Sequence, residues 1–229
     1  MLKTPVFKLL VSLSIPTVAS QLVTVLYNTA DTWFVSQIST SASAAVGVSF
    51  ALMSLIQAIG NTFGMGAGSL ISRKLGAKQD EEASRYASSA FFGSLMCGLI
   101  MCVIGICFLE PLIRLLGSTE TMLPYSCAYA RYILLSAPIM CGAFVMNIIL
   151  RAEGESKFAM IGLCIGGLFN IALDPVFIFV LDMGIAGAAL ATALSQTVSF
   201  LILLSQYLRG RSIVSLSLRY VSKSLKTYT

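Results

Sequence analysis

Apolar stretches of about 20 residues recur along this chain, and they restrict its fold more than any other feature. That is the length a helix needs to cross a hydrocarbon core about 30 Å thick. Inside such a core every backbone polar group must be paired within the structure, which leaves helices or closed barrels. Six stretches fall near residues 9–34, 46–71, 87–109, 125–150, 158–181 and 186–208. Only 11% of the 229 residues are charged and 57% are hydrophobic, whereas soluble domains carry about 25% charged residues. The fold class is therefore an all-α membrane protein, a six-transmembrane-helix bundle. The first run is long, ends at Trp33 and is followed by no small-residue cleavage pattern. It reads as a spanning helix rather than a signal peptide.

Short connections leave no room for a separate soluble domain. The division expected is a six-helix lobe over 1–208 and the start of a cytoplasmic linker over 209–229. Two connections stand out: the polar stretch from Arg73 to Arg85, and Leu109 to Ser118, which fits a short amphipathic turn at the interface.

Net charge is +5, but its placement points away from nucleic acid. Lys3, Lys8, Arg73, Lys74, Lys78, Arg85, Arg151, Lys157, Arg209, Arg211, Arg219, Lys223 and Lys226 all fall on one side of the six-span reading. Arg114 and Arg131 alone fall on the other. Basic residues accumulate in cytoplasmic loops, so both termini are expected in the cytoplasm, with the protein multi-pass in the plasma (inner) membrane. Attraction to anionic membrane lipids is a secondary effect.

The chain has no histidine and six cysteines: Cys97, Cys102, Cys107, Cys127, Cys141 and Cys164. The usual zinc ligand and proton shuttle is missing. Cysteine within an apolar run reads as a small hydrophobe. No Ser or Cys sits beside a recognisable base, so nothing supports an intramembrane enzyme. Glycines cluster in the spans (Gly60, Gly64, Gly66 and Gly68; Gly162 and Gly166; Gly184 and Gly187 with Ala188, Ala189 and Ala191). Membrane helices use such residues to approach closely.

Eight of the ten acidic residues fall in loops or at helix ends, and two, Asp31 and Asp174, lie inside spans. Such a carboxylate costs roughly 2.5–3.5 kcal/mol near a helix centre and marks ion or proton sites by default. The first and fifth spans both run outward, and both acids come late in them, in the outer half of the bilayer. Asn170, four residues before Asp174, shares its face. Pro175 lacks an N–H and frees the carbonyl of Ile171. Thr192 comes early in the inward-running sixth span, at the same depth. Such a cluster suits a hard cation such as Na⁺, and equally a carboxylate pair sharing a proton. Asp31 stands two residues before Trp33, an interface marker, so a solvated helix end also fits it. Pro16 fits a simple kink or a hinge.

The run from Ile15 to Gly76 (IPTVASQLVTVLYNTADTWFVSQ … GMGAGSLISRKLGA) resembles the first two helices of the multidrug and toxic compound extrusion (MATE) transporters. The run from Gly167 to Gln196 (GLFNIALDPVFIFVLDMGIAGAALATALSQ) resembles their fifth and sixth. The resemblance implies one lobe of a twelve-helix antiporter that takes up Na⁺ or H⁺ and exports drugs and other amphipathic, often cationic organic compounds. Asp31, Asn170, Asp174 and Thr192 would form its cation site, Pro16 its helix hinge, and the ion would be the only cofactor. After Asp31 the sequence reads FVSQIS where the family commonly has FVG-x-LG, which affects only a loop. The resemblance also implies a second six-helix lobe as partner, with the substrate cavity between the two. A lipid-linked precursor flippase of related fold would be expected to carry a cationic cavity, whereas the interior charges here are acidic. A non-transport membrane module is the remaining alternative.

Overall fold

The computed structural model describes residues 6–221. Lys3, Lys223 and Lys226 lie outside the described residues, as does the side chain of Lys8. Helices α1 (Val6–Ser36), α2 (Thr40–Gly76) and α3 (Asp80–Cys107) come first. The short α4 (Leu109–Leu115) follows, then α5 (Leu123–Ala152), α6 (Ser156–Pro175) and α7 (Gly184–Leu208). Five of these, α2, α3, α5, α6 and α7, are long and apolar enough to cross a membrane. With 31 residues α1 is long enough, but Gln21, Asn28 and Asp31 make its described part less apolar.

The helices run past the apolar stretches that mark them. Residues 46–71 are apolar, yet α2 starts at Thr40, where the Ser39 side chain caps it by accepting from Ala42 N at 3.0 Å. Arg73 and Lys74 close α2, and Asp80, Glu81 and Glu82 open α3. Each sign stands at the helix end whose dipole it complements. Between them Lys78 takes φ 59°. α4 occupies the stretch expected to form an amphipathic turn. Its Ile113 is buried and its Arg114 pairs with Glu110 at 2.9 Å and Glu120 at 2.5 Å.

α5 is the axis of the bundle, packed by α2, α3 and α7, while α1 lies outermost against α6. Backbones come close where a side chain is missing. A Cβ on Gly98 of α3 would sit 2.7 Å from Pro138 Cα of α5. One on Gly167 of α6 would sit 2.9 Å from Val23 Cγ1 of α1. Gly66 faces open space, so the expectation of close packing does not extend to it. α1 runs through Pro16 without a break, with Ile15, Val18, Leu22, Val25 and Leu26 exposed along its outer face.

The helix changes pitch directly after Pro175. α6 widens into a π-helical turn over Val176–Val180, closed by Leu181 N donating to Val176 O at 2.9 Å. Such widened turns occur most often at functional sites. This one lies directly beyond Asp174.

Candidate functional site

α1, α5, α6 and α7 bring one polar cluster together inside the apolar bundle. Asp31 is 3% exposed, Asp174 0%, Asn170 1% and Thr192 3%. Asp31 is thus buried within the bundle rather than solvated at a helix end. The Asn170 carboxamide donates to Asp174 Oδ1 and to Thr192 Oγ1, both at 3.3 Å. Asp31 and Asp174 are close enough to interact electrostatically. All four residues singled out for the site meet here. Pro16 does not: it lies about four turns back along α1, away from the cluster.

Tyr129 is a member that sequence reasoning missed. It is fully buried on α5, its hydroxyl donates to Asp31 Oδ2 at 3.3 Å, and it also interacts with Thr192. A tyrosine near the start of a span reads as an interface anchor. Its burial comes from the other helices packed on α5, which one helix's sequence does not reveal.

Three atoms of the cluster are buried without a partner: Asp31 Oδ1, Asp174 Oδ2 and Asn170 Oδ1. All three are acceptors. Buried acceptors left without donors are costly, and the two carboxylate oxygens come from two helices, α1 and α6. A cation or a proton held between Asp31 and Asp174 satisfies the two carboxylate oxygens, while Asn170 turns its NH₂ rather than Oδ1 toward Asp174. The donor set is entirely oxygen, as a hard cation prefers. Among the described residues no group of three His, Cys, Asp or Glu could hold a metal.

A cavity of about 130 Å³ opens between α1, α2, α5 and α7. Asn28, Gln57 and Gln196 give it polar walls, and Phe50, Met53, Met140 and Phe144 apolar ones.

The MatE family model matches residues 16–176. The chain belongs to the MatE family. Curated relatives include the multidrug export protein MepA of Staphylococcus saprophyticus, 32% identical over 96% of this chain and 49% of the relative. MepA of Staphylococcus aureus is 30% identical over 95% of this chain and 48% of its own length. Among solved structures, a multidrug resistance MATE family transporter in an outward-facing conformation superposes with a TM-score of 0.90 at 34% identity, covering 96% of this chain and 49% of that one. A MATE transporter in its bent conformation gives 0.89 at 35% identity, over 96% and 50%. The chain spans about half the length of the curated MatE relatives it matches.

Proposed function

We propose that this chain is the N-terminal lobe of a drug exporter driven by inward flow of Na⁺ or H⁺. The observation that carries the reading is the pair of buried carboxylate oxygens without donors, Asp31 Oδ1 and Asp174 Oδ2, in a membrane helix bundle. Two carboxylates in such a medium cannot both stay ionised without a counter-cation. The ion therefore acts as a switch. Bound, it neutralises the cluster and draws α1 toward α6 and α5; absent, repulsion loosens that grip, with Pro16 as the point at which α1 bends.

The amphipathic cavity beside Tyr27 and Gln196 supplies part of the surface for an amphipathic, often cationic organic compound, and a second six-helix lobe supplies the rest. Exchange of ion for drug then follows alternating access between the lobes. The protein resides in the plasma membrane with both termini in the cytoplasm.

The test uses the two-lobe protein in proteoliposomes. Asp31→Asn and Asp174→Asn should each abolish gradient-driven efflux while expression stays near normal. Asn170→Ala and Thr192→Ala should weaken ion affinity by about 1–2 kcal/mol for the lost polar ligand. Normal gradient-driven efflux in the double Asp31→Asn, Asp174→Asn variant would overturn the site.

A further inference from the structure

A second, smaller cavity of about 10 Å³ lies between α1, α6 and α7, with Tyr27, Gly166, Asn170, Ser195 and Ser199 in its wall. That volume is close to the minimum that admits one water. Two of these residues carry buried polar atoms without a partner, Asn170 Oδ1 and Ser199 Oγ. Asn170 is 1% exposed and Ser199 2%. Gly166 keeps the space open, since a Cβ there would come 2.9 Å from Ser199 Cβ and 3.2 Å from the Ser195 carbonyl oxygen. Left dry, the amide oxygen and the hydroxyl both forfeit hydrogen bonds that they keep in water.

We propose that this cavity binds a water molecule which, together with Ser199, lets the Asn170 carboxamide reverse its two ends, making Ser199 a positioning residue for the coupling ion. The inference rests on the cation-coupling reading above. In the arrangement seen, Asn170 turns its NH₂ toward Asp174 and Thr192. That suits an ionised, ion-free Asp174. A Na⁺ arriving at the carboxylates needs the amide oxygen there instead. Na⁺ therefore requires the carboxamide to invert, and the NH₂ then needs an acceptor where Oδ1 stood. Water and a serine hydroxyl both donate and accept, so this wall satisfies the amide in either orientation. An apolar wall would satisfy it in neither.

The full-length protein in detergent provides the test, with ²²Na⁺ binding and proton uptake measured at equilibrium. Ser199→Ala and Gly166→Ala should each weaken binding of the coupling ion by about three- to tenfold, the worth of one hydrogen bond. In an Asn170→Ala background Ser199→Ala should add nothing, which a merely structural role would not predict. A high-resolution structure of the unmodified protein should show ordered water within hydrogen-bond reach of Asn170 Oδ1 and Ser199 Oγ. Unchanged affinity in Ser199→Ala, equal losses with and without Asn170, or a dry cavity would overturn the proposal. Binding of neither ion to the unmodified protein would overturn the coupling reading, and the role of Ser199 with it.

Discussion

The Tyr129 hydroxyl donates to Asp31 Oδ2 at 3.3 Å, joining α5 to α1 across 98 positions of sequence. Arg151 of α5 also donates to Ser20 Oγ of α1 at 3.2 Å, and α1 otherwise packs mainly on α6. Tyr129 thus links the carboxylate cluster to the axis of the bundle.

Removing only the hydroxyl, in Tyr129→Phe, should preserve the fold and change coupling-ion affinity by about 1 kcal/mol, roughly fivefold. Tyr129→Ala empties a fully buried site and should destabilise the lobe by about 3–5 kcal/mol. Ion binding and thermal melting in detergent separate the two effects. Equal melting temperatures for both variants would mean that Tyr129 does not pack as the structure shows.

The order of the long helices and the pairing of Asn170 with Asp174 are legible from spacing, whereas grouping Asp31 and Thr192 with them draws on the family resemblance as well. Residues four apart on one helix must share a face, which is enough to bring Asn170 to Asp174. Helix ends are less legible, because apolar length measures the hydrocarbon slab whereas α2 continues to Thr40 and Gly76 on capping and charge. Tyr129 was hidden because its environment is made by other helices, with Asp31 of α1 and Thr192 of α7 against its hydroxyl. The segment after Leu208 was hidden for the same reason. Its partners Glu153, Ser84 and Ser88 lie about 60 to 130 residues away.

Glycine contacts give a test of packing that does not involve the cluster. In Gly98→Ala the new Cβ meets Pro138 Cα at 2.7 Å and the Ala137 carbonyl at 3.0 Å, both backbone atoms with no rotamer to yield. We expect a loss of about 1–3 kcal/mol. Gly47→Ala, with nothing within 4 Å of the added Cβ, should instead gain up to about 1 kcal/mol of helix propensity. Melting temperatures should move in opposite directions.

Orientation follows from where the basic residues gather. The α2–α3 turn, the α5–α6 turn and the segment after α7 share one end of the bundle: Ser72 Oγ donates to Ala152 O at 3.1 Å, and Ser215 N to Ser84 Oγ at 3.0 Å. In a background with the native cysteines replaced, an impermeant maleimide added to intact cells should label Ser118→Cys and miss Lys78→Cys. The reverse pattern would invert the topology and move the carboxylates to the inner half.

The last prediction concerns the strap that follows α7. Ser212 Oγ donates to Glu153 Oε1 at 2.8 Å and Ile213 N to Glu153 Oε2 at 3.1 Å. Beyond it Val214 is buried at 1% exposure, and Ser88 accepts from Ser217 N at 3.1 Å while donating to Ser215 O at 3.0 Å. The residues expected to begin a linker therefore first fasten to the lobe. Burial, and secondarily the nearby Glu155, hold the Glu153 carboxyl above its usual range, against the lowering effect of the Ser212, Ile213 and Val214 donors. A carboxyl whose value is raised in the closed state favours closure most at low pH. That contribution is complete below its open-state value, near 4.5, and is lost as pH rises through the raised value. Glu153→Gln keeps an acceptor without the charge and should leave strap closure independent of pH over that range. Glu153→Ala removes both acceptor oxygens, and trypsin should then cut at Arg219 about five- to tenfold faster. Identical cleavage rates in the unmodified protein and Glu153→Ala would show that Glu153 does not hold the strap.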